Sequence, residues 1–212
     1  MLKVHEIFRS LQGESTFAGL PCTFVRLTGC NLRCRWCDTT HAWDEGTEMT
    51  LAAILGRVRE LGADLVEVTG GEPLFQDEAT DLLDDLCRLG GTVLVETNGS
   101  LPLPPRRAWH AILDVKCPGS GLHERMHWNN LERLHPGDEL KFVVANREDF
   151  DYAVGKIRRH GLEKRNLPLL VSPVVGEVKP ADVAAWVLES RLPLRLQLQL
   201  HKLLWPGVNC GV

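Results

Sequence analysis

The sequence predicts an α/β fold, a partial, open barrel of about six strand–helix units. Short β-rich runs alternate with amphipathic helical runs along the 212 residues, and this alternation favours parallel strands joined by right-handed crossovers. About six units are fewer than the eight that close a barrel of roughly 250 residues. With 44% hydrophobic residues, the chain suffices for one well-buried domain and is short for two. We therefore expect a single domain over residues 1–212.

The first half of the chain contains three predicted strands and two predicted helices. Residues 23–27 form an apolar run that leads into a cysteine-rich loop. Thr50 is a typical helix cap, apolar residues then recur with helical spacing to residue 61, and Gly62 ends the helix. Residues 65–69 form the next strand, and leucines on one face of residues 77–89 predict a helix that stops at Gly90. Residues 92–97 form the third strand.

The second half continues the alternation with less regular connections. Residues 111–115, 140–145 and 169–172 have the pattern of buried strands, and residues 195–200 alternate as a half-exposed strand should. Residues 148–160 predict a helix closed by Gly161, and residues 180–190 predict a helix with proline in its first turn. The connection 101–105 is rich in proline and 118–130 is loop-like, so we expect fewer full helices than strands.

Composition excludes several classes of partner. A formal net charge of −4 gives no broad basic surface for a phosphate backbone, which argues against direct nucleic-acid binding. No apolar stretch approaches the roughly 20 residues that cross a bilayer, and the N-terminus has no apolar signal segment, so we expect a soluble, cytoplasmic protein without membrane contact. The seven cysteines of such a chain should stay reduced and suit metal ligation.

A loop with three cysteines, Cys30, Cys34 and Cys37, is the most specific feature of the chain. Three thiolates can hold a four-iron cluster but leave one iron without a protein ligand, and an open coordination position is typical of a catalytic metal. The spacing alone leaves a second interpretation open. His41 stands four residues after Cys37, so a zinc site with three cysteines and one histidine is geometrically possible.

Glycine, proline and polar residues collect at the predicted carboxyl ends of the strands, where ligands bind in such folds. Gly70 and Gly71 are the clearest case, since two residues without β-carbons let the backbone approach a ligand closely. A tight strand-to-helix turn would explain the same pair. The other strand ends are Thr28-Gly29-Cys30, Glu96-Thr97-Asn98-Gly99, Asp114-Val115-Lys116 and Ser172-Pro173. We therefore expect a polar ligand over the barrel mouth.

The cysteine loop, residues 28–40, resembles the cluster-binding loop of the radical S-adenosylmethionine (SAM) enzymes. The stretch Gly70-Gly71-Glu72-Pro73 is similar to the element of that superfamily that binds the amino group of S-adenosylmethionine. More narrowly, residues 6–14, Arg26, residues 37–39 and residues 199–202 resemble the 7-carboxy-7-deazaguanine synthase family of the queuosine pathway.

This resemblance implies a lyase that converts 6-carboxy-5,6,7,8-tetrahydropterin into 7-carboxy-7-deazaguanine with loss of ammonia. It implies a [4Fe-4S] cluster, S-adenosylmethionine and Mg²⁺ as cofactors, and a 5′-deoxyadenosyl radical that takes hydrogen from the substrate before the ring contracts. The protein would position these groups, since the difficult chemistry belongs to the cofactors. The family resemblance further implies a flavodoxin or ferredoxin as electron donor and a homodimer as the assembly.

The resemblance also implies roles for individual residues. Cys30, Cys34 and Cys37 would hold the cluster, and Thr39 would bind Mg²⁺. S-Adenosylmethionine would be surrounded by Trp36, Cys37, Asp38, Gly71, Asp114, Val115, Lys116 and Ser172. The pterin site would be lined by Leu11, Gln12, Gly13, Glu14, Arg26, Thr69 and His201. Chemistry gives independent support for Arg26, since a guanidinium offers a bidentate partner for the substrate carboxylate.

Two other functions fit parts of the same pattern. An activase for a glycyl-radical enzyme has a similar cysteine spacing and acts on a partner protein, but residues 11–14, Arg26 and the lack of an added domain favour the synthase. A zinc-binding or electron-transfer module without enzymatic activity would need only the cysteine loop. Visible iron–sulfur absorption and turnover of the carboxypterin distinguish the three.

Overall fold

The computed structural model describes residues 1–62, 64–105, 107–208 and 210–212. Within these ranges, nine strands form a single sheet with the order β3-β1-β2-β4-β5-β6-β7-β8-β9. The strands are β1 (Leu2–Leu11), β2 (Pro21–Leu27), β3 (Thr47–Met49), β4 (Leu65–Gly70), β5 (Thr92–Thr97), β6 (His110–Val115), β7 (Glu139–Val144), β8 (Leu169–Pro173) and β9 (Leu194–Leu196). Strands β2 and β4 to β9 pair in parallel, while β1 pairs antiparallel with β2 and β3. The predicted α/β partial barrel is confirmed.

Five α-helices accompany the described part of the sheet. They are α1 (Leu51–Leu61), α2 (Ala79–Cys87), α3 (Arg147–Arg159), α4 (Pro180–Ser190) and α5 (Leu200–Leu204). The predicted cap of α1 is present, since the Thr50 side chain accepts a hydrogen bond from the Ala53 N–H at 3.2 Å. Asn146 caps α3 in the same way by accepting from the Asp149 N–H at 2.9 Å. Among the described residues, no helix has the length and apolar character needed to span a membrane.

Most predicted elements are confirmed with ends shifted by one or two residues, but both edges of the sheet differ from prediction. Strands β1 and β3 were not predicted. Residues 195–200 do not form one strand, because β9 ends at Leu196 and α5 begins at Leu200. The chain bends there because the Gln197 amide donates to Glu14 at 3.0 Å and the Leu200 N–H donates to the Gly13 carbonyl at 3.0 Å. These bonds draw the segment toward the end of β1.

The two faces of the sheet carry different side chains. The outer face packs with the helices around the main core. The inner face holds a small apolar cluster of Cys22, Phe24, Leu65, Leu94 and Ile112. Side chains alternate between the two faces of a strand. The residue two positions after each strand residue of this cluster, toward the carboxyl end, therefore also lies on the inner face. These residues are the polar Arg26 on β2, Glu67 on β4, Glu96 on β5 and Asp114 on β6. The apolar cluster is therefore the base of a polar site at the carboxyl ends of the strands.

The connections from β5 to β6 and from β6 to β7 contain no α-helix in their described residues, as the proline-rich and loop-like sequence predicted. The second connection carries three 3₁₀ turns, Pro118–Ser120, His123–Arg125 and Trp128–Arg133. Buried side chains from both connections fill the core in place of helices, and these are Leu103, Met126, Leu131 and Leu134. The buried Asn130 side chain donates to the Gly99 and Leu101 carbonyls at 3.2 and 2.9 Å and accepts from the Leu103 N–H at 2.8 Å. The connections are thus part of the core.

Candidate active site

The cysteine loop follows β2 directly and places three thiols at the carboxyl end of the sheet. Cys30, Cys34 and Cys37 are all free and half-buried. The Cys37 N–H donates to the Cys34 carbonyl at 3.2 Å, which closes a turn between the second and third thiol. Cys30 Sγ accepts from the Leu32 N–H at 3.4 Å and from the Asn98 amide at 3.7 Å. Hydrogen bonds to the sulfur ligands are one way in which proteins tune iron–sulfur clusters.

The three loop thiols are not assembled as compactly as the ligands of a zinc ion. In a tetrahedral zinc site the ligand sulfurs lie about 3.8 Å apart, as follows from zinc–sulfur bonds of about 2.3 Å. Among the described residues, the group of metal-ligating side chains whose ligand atoms all lie within 4.8 Å of one another consists of His5, Glu6, His41 and Cys210. That group includes none of the loop cysteines. The three loop thiols therefore do not all lie within 4.8 Å of one another, and His41 belongs to a different group.

Gly70 and Gly71 bring the end of β4 against the cysteine loop. A β-carbon on Gly70 would lie 2.1 Å from the Leu27 carbonyl oxygen, and Gly70 has a φ of 137°, which L side chains rarely adopt. A β-carbon on Gly71 would lie 2.1 Å from the Gly29 carbonyl oxygen and 2.8 Å from the Cys30 β-carbon. The two glycines therefore let β4 approach the backbone at the end of β2 and in the cysteine loop, while their close approach to a ligand stays a prediction.

Glu72 joins three chain segments at this contact. Its buried carboxylate accepts from the Leu74 N–H at 3.0 Å, the Thr97 hydroxyl at 2.8 Å and the Asn98 N–H at 2.6 Å. Its own N–H donates to the Gly29 carbonyl at 2.8 Å. Burial raises the pKa of Glu72 to about 7 despite these donors. The ends of β4 and β5 are therefore held in a fixed relation to the cysteine loop.

The loop and the strand ends surround a cavity of about 870 Å³. The residues predicted from the sequence that line it are Leu11, Gln12, Gly13, Glu14, Arg26, Cys30, Cys34, Trp36, Cys37, Asp38, Thr39, Thr69, Gly71, Asp114, Lys116 and His201. The structure does not bring the predicted Val115 or Ser172 to this cavity. Val115 alternates to the outer face and packs in the main core, and Ser172 is buried within the sheet with 1% exposure.

A buried lysine organises the carboxylates of the inner face. Lys141 Nζ lies 2.8 Å from the Glu14 carboxylate and also pairs with Glu96. Burial disfavours the charge on Lys141, but Glu14 and Glu96 outweigh it and raise the pKa of Lys141 well above its usual range. Glu14 accepts two further bonds, from the Gln197 and Gln199 amides at 3.0 and 2.9 Å. Lys141 and Glu14 are thus ionised and fixed together.

Glu67 lies beside this network, and its pKa shifts in the direction opposite to that of Glu14. Burial and the negative charge of Glu96 raise the pKa of Glu67 well above its usual range, which favours the protonated form of this carboxyl. Its Oε2 accepts a hydrogen bond from the Gln12 amide. A protonated carboxyl can donate as well as accept. Glu67 therefore suits a ligand that presents both kinds of group.

Two charged pairs fix residues of the cavity wall near the cysteine loop. Arg26 Nε donates to Glu6 at 2.7 Å across strands β1 and β2. Asp38 accepts from the Thr39 hydroxyl at 3.0 Å and from Lys202 Nζ at 2.6 Å. Partial burial opposes ionisation of Asp38, but the Lys202 ammonium outweighs it and holds the pKa of that carboxyl below its usual range. Asp38 is therefore an anion, and Arg26 presents a cation to the cavity.

Asp114 and Lys116 form a third pair at the end of β6, with Nζ 2.7 Å from Oδ2. Burial disfavours the charge on Lys116, but Asp114 outweighs it and raises the pKa of Lys116. The other oxygen, Asp114 Oδ1, is buried and has no hydrogen-bond partner among the described residues. A buried acceptor without a partner costs free energy unless a ligand donates to it. Asp114 therefore fits a ligand that carries a hydroxyl group.

Comparison with known proteins identifies the family. The radical SAM superfamily model matches residues 24–117. The 7-carboxy-7-deazaguanine synthase of Chlorobaculum tepidum is 46% identical to this chain, and the alignment covers 100% of this chain and 97% of the relative. The corresponding protein of Koribacter versatilis is 42% identical over 100% of both. This chain belongs to the 7-carboxy-7-deazaguanine synthase family.

Solved structures agree with the fold of this synthase-family member. The crystal structure of QueE from Escherichia coli aligns with a TM-score of 0.72 at 24% identity and covers 93% of each chain. SuiB from Streptococcus suis, bound to its precursor peptide SuiA, aligns with a TM-score of 0.56 at 16% identity over 80% of this chain and 46% of SuiB. At these identities the likeness concerns the fold alone.

Family membership settles the class of cofactor. As a radical SAM enzyme of the 7-carboxy-7-deazaguanine synthase family, the chain uses a four-iron cluster and S-adenosylmethionine. Three half-buried thiols beside a cavity and the open Asp114 Oδ1 fit these two groups. The glycyl-radical activase and the non-enzymatic zinc or electron-transfer module, both compatible with the cysteine spacing, are set aside by the full-length synthase relatives.

Sequence reasoning missed several charged residues of this synthase cavity. Glu67 and Lys141 each stand inside an otherwise apolar parallel strand. Such strands are buried on both faces, so a charged side chain within one needs a partner of opposite charge or a hydrogen-bond partner. This rule could have identified Glu67 and Lys141 as candidate site residues from the sequence. Gln199 and Lys202 also line the cavity, and they were noted only through the family resemblance of residues 199–202, because the pattern of this segment looks half-exposed.

Replacing Gly71 by alanine should displace the cysteine loop. The new β-carbon would stand 2.1 Å from a backbone oxygen that cannot rotate away, and such overpacking costs about 1–3 kcal/mol or more. We expect the iron bound per chain after anaerobic reconstitution to fall while circular dichroism shows the helices intact. Gly155→Ala on α3 is the matched control, since its β-carbon would have nothing within 4 Å. A Gly71→Ala protein with the full iron content would contradict this account of the contact.

Proposed function

We propose that this chain converts 6-carboxy-5,6,7,8-tetrahydropterin into 7-carboxy-7-deazaguanine with loss of ammonia, in the cavity described above. The observation that carries the proposal is that the three free thiols, Arg26 and the carboxylates of the inner face all line one space of about 870 Å³. This volume is typical of small-molecule sites. When bound, the cluster and S-adenosylmethionine supply the one-electron chemistry that starts hydrogen abstraction. The chain's own residues bind, orient and exclude water.

The cofactor side of the cavity is the cysteine loop with the ends of β4 and β6. Cys30, Cys34 and Cys37 would hold the cluster. S-Adenosylmethionine would lie against Trp36, Cys37, Asp38, Gly71, Asp114 and Lys116, all of which line the cavity. Val115 and Ser172 are not part of this proposal, because neither lines it. Asp114 Oδ1 would accept a hydrogen bond from a ribose hydroxyl, which would satisfy the buried oxygen.

The substrate side of the cavity is the inner face with the end of β1. Arg26, held by Glu6 through Nε, would bind the substrate carboxylate with its terminal N–H groups. The pterin amino and ring N–H groups need acceptors, which Glu14 and Gln12 offer, and the Glu67 carboxyl could donate as well as accept when it is protonated. The remaining proposed contacts are Leu11, Gly13, Thr69 and His201, which line the same cavity.

Mg²⁺ would bind between the cysteine loop and the substrate carboxylate. The Thr39 hydroxyl lies on the cavity wall and donates to the Asp38 carboxylate at 3.0 Å, which leaves its oxygen lone pairs free. Mg²⁺ prefers oxygen ligands and keeps several waters, so one hydroxyl with substrate oxygens and waters completes an octahedral site. The anionic Asp38 next to it favours a cation there.

The remaining partners follow from the family resemblance. A reduced flavodoxin or ferredoxin would supply the electron, and the protein would act as a homodimer in the cytoplasm. One feature of the surface supports docking of an acidic electron carrier beside the cluster: Arg33 and Arg35 of the cysteine loop are exposed, and complementary charge speeds such encounters. Phe75 is also 53% exposed and packs next to Gly29 of the same loop.

The central test is product formation. Reduced, reconstituted protein incubated with S-adenosylmethionine, Mg²⁺ and 6-carboxy-5,6,7,8-tetrahydropterin should yield 7-carboxy-7-deazaguanine, detected by mass spectrometry. Cys34→Ala should abolish both the brown chromophore and turnover, because the cluster needs all three thiolates. Cys87→Ala, which changes a half-buried thiol on α2, should retain both. No deazaguanine from iron-replete wild-type protein would refute the proposal.

Arg26→Gln should raise the KM for the carboxypterin by about 10- to 100-fold, which corresponds to the loss of hydrogen bonds to a charged group worth about 1.5–3 kcal/mol. The visible spectrum should be unchanged, since Arg26 is not a cluster ligand. Arg57→Gln on α1 is the matched control, because Arg57 is half-exposed and pairs with Glu60 at the surface. An unchanged KM in Arg26→Gln would show that the carboxylate binds elsewhere.

Thr39→Ala should raise the Mg²⁺ concentration that gives half-maximal activity by about tenfold or more, since a ligand of the ion is removed. Thr40→Ala alters the exposed neighbouring residue and should leave the Mg²⁺ dependence unchanged. Activity measured across a Mg²⁺ titration checks both variants. Equal Mg²⁺ dependence in the two proteins would remove Thr39 from the metal site.

A further inference from the structure

A second cluster of metal-ligating side chains lies outside the cysteine loop. It consists of His5 and Glu6 on β1, His41 in the 3₁₀ turn Thr40–Ala42, and Cys210. One ligand atom from each lies within 4.8 Å of the others. Three separate parts of the chain bring these side chains together, so the grouping does not arise from sequence proximity. We propose that these four side chains bind a Zn²⁺ ion, separate from the iron–sulfur cluster.

Both histidines have a nitrogen available for a metal. His5 Nδ1 lies 3.0 Å from the Glu45 carbonyl oxygen. Because a carbonyl oxygen can only accept, the proton is on Nδ1, and Nε2 keeps its lone pair. Metal-ligating histidines usually make such a bond through the second nitrogen, which fixes the ring orientation. His41 Nε2 is buried and has no hydrogen-bond partner among the described residues, and a metal ion would satisfy it.

The other two ligands supply negative charge. The Glu6 carboxylate accepts from Arg26 Nε at 2.7 Å and from the Gly211 N–H at 2.9 Å. A carboxylate has about four lone-pair sites, so Glu6 can bind a metal as well. Cys210 is exposed, so its thiol is accessible from solvent. One thiolate, one carboxylate and two neutral imidazoles cancel the charge of a divalent ion.

The ligand types select zinc among the common ions. Mg²⁺ and Ca²⁺ take oxygen ligands, whereas zinc is bound tetrahedrally by cysteine, histidine and carboxylate groups. Bonds of about 2.0–2.3 Å place tetrahedral ligands about 3.3–3.8 Å apart. A pair of ligand atoms 4.8 Å apart would therefore have to approach by about 1.0–1.5 Å. Cys210 is exposed, so its side chain has room to rotate toward the other ligands.

Zinc bound at this site would hold part of the cavity wall in place. His41 and Val212 both line it, and the ion would tie Cys210 to β1 and to the turn that follows the cysteine loop. Glu6 would then bridge the metal and Arg26. Zinc would thereby fix residues 210–212 against the site without entering it.

The test is metal content of the reconstituted holoenzyme, because a filled cluster keeps the loop cysteines from binding zinc. After anaerobic exposure to zinc and removal of the excess, we expect about four iron and one zinc per chain. X-ray absorption at the zinc edge should show one sulfur at about 2.3 Å and nitrogen or oxygen at about 2.0–2.1 Å. Cys210→Ser and His5→Gln should each weaken zinc binding by about 100-fold or more, because even partners outside the coordination shell contribute 10- to 100-fold.

The matched control is Cys87→Ser, which changes another thiol outside the group and should bind zinc as the wild type does. Iron content and the visible spectrum should be the same in all variants, which separates this site from the cluster and from the proposed reaction. Zinc binding that survives Cys210→Ser, zinc uptake that displaces iron, or a zinc coordination shell with three sulfurs would each overturn the proposal.

Discussion

The whole site depends on one backbone contact, in which the end of β4 lies directly against the loop that follows β2. Gly70 and Gly71 allow it, since a β-carbon on either would lie 2.1 Å from a carbonyl oxygen of the neighbouring segment. Glu72 then bonds to both the loop and the end of β5. Because of this contact, three thiols on an irregular loop have a defined position relative to side chains on rigid strands, and precise placement is what such chemistry requires.

The cavity is divided by charge. Glu14, Glu67 and Glu96 surround Lys141 on the inner face, whereas Arg26 lies at the β1 side near the cysteine loop. Burying several carboxylates is costly unless they are paired or neutralised. Here Lys141 pairs with Glu14 and Glu96, and burial together with the charge of Glu96 raises the pKa of Glu67. Under the proposed function, this division of charge would orient a carboxylated heterocycle with its acid group toward the guanidinium and its N–H edge toward the glutamates.

Local signals were enough to predict the barrel and to single out the cysteine loop. Caps such as Thr50 and apolar strand patterns act within a few residues of each other, and these elements were found where predicted. Strand β1 was missed because its burial follows no regular alternation, being set by antiparallel pairing with β2. The network around Lys141 was missed because it joins Glu14 to Lys141 over 127 positions and to Gln197 over 183. Such contacts exist only once the fold has formed.

The β5–β6 and β6–β7 connections, whose described residues form no α-helix, limit where the sequence can accept inserted residues. Loops normally accept inserted residues because little depends on their length. Here, Leu103 and Leu131 cover the outer face of the sheet, and Asn130 ties three backbone groups of the first connection to the second. One extra residue between β5 and β6 would withdraw Leu103 from the core and leave a void like that of a truncated core side chain. The most irregular stretch of the chain is therefore among the least free to change its length.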